Sequence, residues 1–389
     1  MPYEYRPIKD VGPFLDVAQF AFALPYRGRA RLEEFVQARL ADGDELFGVY
    51  QEDRLLSAFM LLGFRMRLRG SLVPMGGIAF VCSRPEVRGK GCVRFMLEQA
   101  LLTMRDRGHV VSVLYPFSLA FYRKYGWELF TQELRVRFPP GLLQVGEEPG
   151  IEARALPFPD DDSQAFYNEY ARSHYNLAQR GEAQWRKELW PRAEEAARGV
   201  VKFTRDGRVV GLLFYILVRE EKDQVRLLVP LFAPGDGAAK RAMLRFLKGL
   251  SHQVGTVELQ VPADFSLWPY LADSPSTRAL HDAAMIRIVS LEALDGLELS
   301  APEMSLGVLV EDRQAPWNDG TFAFSVEGGR LRVDKGKMAQ LRLGIGALSS
   351  AISGFTNFQE LIAAGRVEPL EGYRGQDLPK ATTFLADHF

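Results

Sequence analysis

The residues from Arg84 to Arg94, R-P-E-V-R-G-K-G-C-V-R, combine two glycines with a run of cations. They follow an apolar run over residues 77–81 and precede an amphipathic pattern that continues to about Arg107. A strand, a tight glycine-containing turn and a helix start, in that order, form a cradle for a diphosphate. The glycines let backbone N–H groups point inward, and the helix N-terminus adds partial positive charge. Because Arg88 and Lys90 add full charges, the sequence predicts an anion-binding loop here.

The elements that must hold this loop can be predicted from periodicity. The following helix has apolar residues at i, i+3, i+4 and i+7 spacing, which indicates one buried face, and Gly108 suits its end. Further helices are predicted over residues 14–22, 31–40 and 117–125. Strands are predicted over residues 45–50, 54–62, 73–83, 110–115 and 127–138. Alternating strands and helices of this kind indicate an α/β domain.

Length, composition and charge set wide bounds on the class of protein. The 389 residues suggest two or three domains, and 47% hydrophobic content provides ample core material. With 48 Lys and Arg against 49 Asp and Glu, no global field attracts nucleic acid. The only cysteines, Cys82 and Cys92, flank the proposed cradle without the ligand spacing of a zinc site. We therefore expect no metal, no disulfide and a reducing, cytoplasmic location.

Two features bear on membrane and export segments. The first residues, M-P-Y-E-Y-R-P, lack the apolar core of a signal peptide. No run of about 18 uninterrupted apolar residues occurs, so we expect no membrane-spanning helix.

A second stretch of the chain repeats the strand and helix order of the first. Strands are predicted over residues 200–205, 209–218, 225–232 and 256–261, with an amphipathic helix over 238–252. The loop at 233–240 contains glycines but no Arg-x-x-Gly, and Asp236 would repel phosphate. We interpret this stretch as a duplicated fold without cofactor binding; two unrelated α/β units of similar pattern are the alternative.

The last hundred residues have a different, α+β pattern. Strands are predicted over residues 306–312, 320–327 and 330–333, with a hairpin turn at 327–330. Helices are predicted over residues 341–353 and 357–364, with Gly365 as a stop. The run from Asp312 to Gly320, followed by alternating strands, resembles a sterol-carrier-type domain.

Taken together, these motifs resemble the Eis (enhanced intracellular survival) type of GNAT N-acetyltransferase. The loop resembles the coenzyme A loop of that family, Arg/Gln-x-x-Gly-x-Gly/Ala; Arg88 and Gly91 match it, while Val93 departs from it. Residues 121–127, F-Y-R-K-Y-G-W, and 341–348, L-R-L-G-I-G-A-L, also match, as does the aromatic Phe389. The resemblance implies tandem GNAT-like α/β domains followed by a sterol-carrier-like α+β domain. We expect these at residues 1–138, 139–289 and 290–389.

The resemblance also implies acetyl-CoA as cosubstrate and a set of residues that bind it. Backbone groups of the strand before the loop would hold the acetyl carbonyl and the pantetheine arm. The complete set of expected cofactor contacts is Val81, Cys82, Ser83, Arg88, Gly89, Lys90, Gly91, Cys92, Val93, Arg94, Phe117 and Ser118.

Acetyl transfer to a primary amine needs a proton donor for the thiolate and an acceptor for the amine proton. The resemblance assigns the acid to Tyr122, whose phenol stays protonated at neutral pH. The alternative is that its ring only packs in the core, with Tyr115 and Tyr125 as competitors. The resemblance assigns the base to the α-carboxylate of Phe389; mere packing of Phe389 and catalysis by His388 are the alternatives. The resemblance further implies a homo-oligomer, which would be a hexamer as in the family.

The acceptor amine is poorly specified by the sequence. Carboxylates at Asp42 and Asp44 are candidates for an amine site, although a solvated turn explains them better. The expected substrate entrance offers Phe20, Phe22 and Tyr26, followed by Arg27 and Arg29, and a second-domain set of Trp185, Arg186 and Trp190. This entrance is more aromatic and less acidic than a polycationic aminoglycoside would require. Aminoglycoside-, polyamine- and lysine-like amines therefore all remain open.

Two other classes of function compete with acetyl transfer. One is a lipid- or hydrophobe-binding protein in which the last domain is the working part and the first domain is vestigial. The other is a protein-binding scaffold, which only the length favours. The intact composition of the loop argues against a vestigial site.

Overall fold

The computed structural model describes residues 3–23, 28–189, 195–220, 224–275 and 277–387. Up to residue 130 the strands are β1 (Glu4–Pro7), β2 (Glu45–Gln51), β3 (Arg54–Leu68), β4 (Ser71–Ser83), β5 (Val111–Leu114) and β6 (Glu128–Leu129). The helices of this part are α1 (Val11–Ala21), α2 (Gly28–Ala41), α3 (Cys92–Asp106) and α4 (Leu119–Arg123). The α3 face predicted to be buried is buried and packs in the apolar core of this part.

Residues 131–283 contain a second α/β unit. Its strands are β7 (Gln132–Phe138), β8 (Ile151–Leu156), β9 (Glu195–Arg205), β10 (Arg208–Arg219), β11 (Val225–Pro234), β12 (Thr256–Pro262) and β13 (Thr277–Asp282). Its helices are α5 (Asp161–Ser173), α6 (Glu182–Glu188) and α7 (Gly237–Gly249).

The remaining residues form an α+β part. Its strands are β14 (Met285–Ile288), β15 (Met304–Glu311), β16 (Gly320–Glu327), β17 (Arg330–Lys335), β18 (Leu341–Gly344) and β19 (Val367–Pro369). Its helices are α8 (Ile345–Ser353) and α9 (Phe358–Ala363).

The described strands form three sheets, and two of the sheets repeat one another. The first has the order β1-β2-β3-β4-β5-β14-β6, and the second has the order β8-β9-β10-β11-β12-β7-β13 when read in the same direction. In both, one parallel pair, β4 with β5 and β11 with β12, lies among antiparallel neighbours. The predicted duplication of the fold is therefore confirmed.

One strand of each α/β unit lies at a place that sequence order does not predict. We expected a single strand over residues 127–138, which is wrong: it divides into β6 in the first sheet and β7 in the second. In return β14, at residues 285–288, inserts between β5 and β6 of the first sheet. The two sheets thus exchange strands across the expected bounds at 138 and 289, and the three domain ranges stay predictions.

The third sheet has the order β17-β16-β15-β18-β19. Its strands alternate buried and exposed residues, so one face is apolar. The predicted hairpin is confirmed: Glu327 pairs with Arg330, and Gly328 and Gly329 both have the positive φ that such a turn needs. The helix expected over residues 341–353 is wrong in its first turn. Residues 341–344 pair with β15 and β19, since tertiary pairing overrides their helical periodicity.

The chain divides into two compact units. One comprises residues up to 130 together with 284–381, and the other comprises residues 131–283 with 382–388. The first unit thus contains the first sheet and the whole third sheet. Among the described helices, none is both long and apolar enough to cross a bilayer.

Candidate active site

The loop between β4 and α3 has the conformation that the sequence predicts. After one 3₁₀ turn over Pro85–Val87, Gly89 and Gly91 adopt φ of 76° and 83°, which side chains with a Cβ rarely tolerate. A Cβ added at either glycine would meet no atom within 4 Å. The glycines are therefore required by their backbone conformation, and the space in front of the loop is open to a ligand.

The start of α3 presents unpaired donors to this space. Gly91 is the N-cap and provides no side-chain acceptor, so the amides of Cys92, Val93 and Arg94 have no partner from the helix itself. The N–H groups of Gly89 and Gly91 likewise make no hydrogen bond within the described part of the chain. The side chains of Arg88 and Lys90 are exposed beside them. Donors, dipole and cations fit the diphosphate of coenzyme A.

In the second unit, the N-terminus of the equivalent helix α7 is capped by a carboxylate side chain. Asp236 caps α7 by accepting a hydrogen bond from the Ala239 N–H at 2.8 Å, and it pairs with Arg205 at 2.7 Å. These contacts lower the pKa of Asp236, with the backbone hydrogen bond as the largest cause. A carboxylate thus occupies the position that α3 leaves open to an anion.

The strand before the open loop is splayed from its parallel neighbour. β5 pairs with β4 only over residues 75–78 of β4, and β4 continues to Ser83. On its other side β4 has a bulge: Ala79 lies opposite Met60 and Cys82 opposite Ala58. Beyond Ile78, the β4 edge that faces away from β3 therefore has no strand partner in the described residues. Backbone groups there are free for a ligand.

The bulge contains a strained residue that helix α1 supports. Phe80 has a φ of 54°, a left-handed conformation that costs a bulky residue free energy. Its ring packs edge-on against Phe14 and Phe22, with ring centroids 6.3 and 5.9 Å away. The apolar face of α1 thereby holds the bulge that frees this edge of β4.

Tyr122 lies on α4, the short helix that follows β5. Ser118 caps this helix by accepting a hydrogen bond from the Phe121 N–H at 3.3 Å. The Tyr122 ring is 3% exposed and packs edge-on against Phe117 and Phe121. Burial raises the pKa of the Tyr122 phenol, and its hydroxyl has no hydrogen-bond partner among the described residues. The phenol therefore holds its proton throughout the neutral range.

Two family models match the α/β units and one matches the last part of the chain. Models described as acetyltransferase (GNAT) domains match residues 4–130 and 177–288. A model described as a sterol carrier protein domain matches residues 290–388. The chain therefore contains two acetyltransferase (GNAT) domains. The expected order of two GNAT domains and a sterol-carrier-type domain is thereby confirmed, as is the Eis-like architecture.

Similar proteins align with this chain over most or all of its length. An uncharacterized N-acetyltransferase from Streptomyces avermitilis is 25% identical over 356 residues, which is 85% of either chain. A GCN5-related N-acetyltransferase from Anabaena variabilis has a similar fold, with a TM-score of 0.89 at 20% identity over 100% of both chains. An Eis protein from Mycobacterium abscessus has a TM-score of 0.80 at 19% identity, covering 99% of this chain and 100% of its own.

The thiols of the two cysteines that flank the loop are buried rather than exposed to the open space in front of it. Cys82 and Cys92 are both buried in the apolar core. Burial raises the pKa of the Cys82 thiol to about 12. Burial also raises the pKa of Cys92, whose Sγ lies 3.1 Å from the Oγ of Ser57. Neither thiol is available as a thiolate near neutral pH.

Several residues expected at the acceptor entrance have other roles. Asp44 is buried and accepts a hydrogen bond from Arg39 at 3.1 Å, and Arg29 pairs with Asp16 at 2.7 Å. Trp185 is a core residue that packs edge-on against Tyr167. The expected core packing of Trp185 thus accounts for that residue. The solvated turn expected at Asp44 is wrong, because its carboxylate is buried against Arg39.

Two aromatic residues do lie at the open end of the site. Phe20 and Phe22 at the end of α1 are 60% and 43% exposed. The Phe20 ring centroid lies 6.0 Å from the Cζ of Arg88, so this aromatic pair adjoins the open loop. Tyr26, Arg27, Trp190, His388 and Phe389 lie outside the described residues.

Arg287 is a buried residue close to the Tyr122 helix that was not predicted as part of the site. It lies on β14, and its guanidinium donates a hydrogen bond to the carbonyl of Tyr125 at 2.6 Å. The one available signal was an arginine in an otherwise apolar strand, M-I-R-I, because a buried charge needs a partner.

Proposed function

We propose that this chain transfers an acetyl group from acetyl-CoA to a primary amine. The observation that carries the proposal is the open N-terminus of α3 beside the splayed end of β4. The second unit has a similar sheet, but Asp236 occupies the N-terminus of α7. One cofactor site, in the first unit, follows from this difference.

Different residues of the site would bind different parts of acetyl-CoA. The amides at 89 and 91–94, with Arg88 and Lys90, would hold the diphosphate, and free backbone groups of Val81, Cys82 and Ser83 would hold the pantetheine arm. Phe117, which is 73% exposed, and Ser118 border the path between β5 and α4. Acetyl-CoA supplies the acetyl group as an activated thioester when it is bound.

Tyr122 is the proposed general acid. An acid must still carry its proton when the thiolate departs, and the raised pKa of this buried phenol satisfies that condition. The buried, protonated state of Cys82 and Cys92 favours direct attack by the amine over an acetyl-cysteine intermediate.

The α-carboxylate of Phe389 is the proposed acceptor of the amine proton, by resemblance to the Eis-type enzymes. A carboxylate in water is a weak base at neutral pH, and desolvation would raise its pKa towards a useful value. Appending one glycine after Phe389 displaces that carboxylate and should lower kcat. An extended enzyme with full activity would show that Phe389 has no such role.

The aromatic entrance favours an amine carried on an apolar frame. Phe20 and Phe22 are exposed there, whereas two acidic residues of the same domain, Asp16 and Asp44, are paired with arginines. Among the aminoglycoside-, polyamine- and lysine-like classes, we therefore propose the lysine-like amine, whose single charge needs fewest carboxylates. The homo-oligomer also stays a prediction. Light scattering tests it by measuring the molar mass of the protein in solution.

Two measurements test the proposed function. Isothermal calorimetry of the folded protein should show one acetyl-CoA bound per chain. Thiol release from acetyl-CoA should then be stimulated by at least one member of a panel of kanamycin, spermidine and Nα-acetyl-lysine methyl ester, with the lysine ester the fastest. Absence of acetyl-CoA binding, or of stimulation by every amine, would reject the function.

A further inference from the structure

A solvent-free ion pair connects β14 with the sterol-carrier-type part of the chain. The Nη2 of Arg287 donates to both carboxylate oxygens of Asp312, at 2.7 and 2.8 Å, and neither side chain is exposed. Asp312 stands at the end of β15 and also accepts hydrogen bonds from the Ala315 N–H and the Asn318 amide, each at 3.2 Å. The carboxylate is therefore fixed from several directions.

The loop that carries Asp312 also binds the backbone beyond β14. Trp317 Nε1 and Asn318 Nδ2 donate to the Val289 carbonyl at 2.8 and 3.1 Å. The Oδ1 of Asn318 accepts from the Leu291 N–H at 2.9 Å. The loop at 312–319 thus binds the side chain of Arg287 and also the backbone of residues 289 and 291, which follow β14.

The other end of the Arg287 guanidinium reaches the turn after α4. Its Nη1 donates to the Tyr125 carbonyl at 2.6 Å. The N–H groups of Tyr125 and Trp127 in turn donate to the Tyr122 carbonyl, at 2.9 and 3.3 Å. A continuous set of hydrogen bonds therefore runs from Asp312 through Arg287 to the backbone of Tyr122.

The Arg287 guanidinium packs closely against the turn at Gly126. Gly126 has a φ of 85°, and a Cβ there would lie 1.7 Å from the Nη1 of Arg287 and 2.7 Å from the Cγ2 of Ile345. The Gln314 amide adds a hydrogen bond to the Lys124 carbonyl at 3.3 Å. The turn is thus packed against β14, the 312–319 loop and α8 together.

We propose that Arg287 is a positioning residue for Tyr122, and that the sterol-carrier-type part supports acetyl transfer by fixing Arg287 through Asp312. The inference rests on the proposed role of Tyr122 as the acid. A helix of five residues has almost no stability of its own, so the place of the phenol depends on contacts outside the helix, and the hydrogen bonds at its C-terminal turn are among these contacts. A displacement of about 1 Å can cost a catalytic group on the order of 10²-fold in rate.

The test is a double-mutant cycle on steady-state kinetics of thiol release, with the most active amine of the panel. Arg287→Lys keeps the charge but replaces the planar guanidinium, whose Nη2 and Nη1 reach Asp312 and Tyr125 separately, by a single nitrogen. Asp312→Asn keeps the shape. Each variant is measured alone and combined with Tyr122→Phe. Arg69→Lys is the matched control, because Arg69 donates to the Ile352, Pro379 and Ala351 carbonyls of the same part without contacting α4.

We expect R287K and D312N to lower kcat about 10-fold with little change in the KM for acetyl-CoA. In the Y122F background the same changes should lower kcat less than about 2-fold, since the group they position is gone. R69K should lower the urea midpoint without lowering kcat.

The outcomes separate this inference from the proposed function. An unchanged kcat in Y122F alone would overturn the acid role and the positioning role together. If Y122F lowers kcat while R287K and D312N keep the kcat of the wild type, only the positioning role is overturned. The same holds if R287K and D312N lower kcat by the same factor with Tyr122 present and with Tyr122 replaced by Phe. Should R287K and D312N fail to fold, Gln314→Ala is measured in the same cycle, and a kcat equal to that of the wild type would overturn the inference.

Discussion

Arg180 and Asp387 form an ion pair from which solvent is excluded, with Arg180 Nε and Asp387 Oδ1 2.6 Å apart. The guanidinium lies over the rings of Tyr167 and Trp185, 4.9 and 4.7 Å from their centroids. Its Nη2 also donates to the Ala386 carbonyl at 3.1 Å. Residues 207 positions apart in the sequence are thus joined, and the end of the described chain is fixed to the second GNAT unit.

Removal of the Asp387 carboxylate should destabilise the protein strongly. Asp387→Ala leaves a buried guanidinium without its counter-charge, which costs about 3–5 kcal/mol of the free energy of unfolding. Urea denaturation measures the loss. The control is Glu169→Gln, which breaks an exposed pair with Arg172 and should cost less than about 1 kcal/mol. Equal losses in the two variants would show that the buried pair has no special weight.

Tyr122→Phe should lower kcat about 10²-fold or more and leave acetyl-CoA affinity nearly unchanged, because only the proton donor is lost. Tyr125→Phe is the matched control, as its ring also packs on Phe121 but is only partly buried. Steady-state kinetics and calorimetry measure both variants. A larger loss of kcat in Y125F would transfer the acid role to Tyr125.

Removal of the loop cations should weaken acetyl-CoA binding. The double variant R88A/K90A loses two charged contacts to the diphosphate, and we expect Kd to rise by about 10-fold or more for each. Arg105→Ala, in the last turn of the same helix, should leave Kd unchanged. Binding by the wild type should also weaken with added salt more than binding by the double variant does. Identical Kd values for the wild type and R88A/K90A would contradict binding of the diphosphate at this loop.

The buried thiols should be unreactive in the folded protein. At pH 8 both Cys82 and Cys92 stay protonated, so DTNB should modify them slowly in buffer and rapidly in urea. Cys92→Ala should keep kcat within about 2-fold of the wild type. Mass spectrometry after a brief exposure to acetyl-CoA should detect no acetylated cysteine. Acetylation of either thiol at the rate of turnover would contradict direct transfer.

Alkaline pH should destabilise the fold through Cys82. Burial raises the pKa of this thiol from 9.0 to about 12, so the stabilising contribution is complete below pH 9 and is lost as pH rises towards 12. In that window the unfolded chain releases a proton that the folded chain retains, which lowers the free energy of unfolding by up to about 1.4 kcal/mol per pH unit. Urea midpoints from pH 8 to 11 measure the slope, and Cys82→Ala should reduce it.

The local part of the site could be predicted from the sequence because short-range patterns encode it. Gly89 and Gly91 are needed for positive φ, and the cations and the apolar face of α3 lie within one helical segment. The hairpin at Gly328 and Gly329 follows from the same turn chemistry.

The supporting part of the site could not be predicted, because its contacts are distant in the sequence. Arg287 lies on β14 and Asp312 directly follows β15, and no sequence periodicity indicates that their side chains form an ion pair. Asp312 opens the run that indicated a sterol-carrier-type domain, yet the run gave no sign of its partner. The strand pairings of β7 and β14 were hidden for the same reason, because β7 pairs with β12 and β14 pairs with β5, each far away in the sequence.

The exchanged strands also constrain how this chain is made on the ribosome. The edge of β5 is covered only when β14 emerges, after the whole of residues 131–283. At about 5–20 residues per second, the nascent first sheet waits roughly 8–30 s with that edge unpaired. During translation the unpaired edge can pair with a strand from a neighbouring copy, so we expect the yield of correctly paired protein to fall as the expression rate rises.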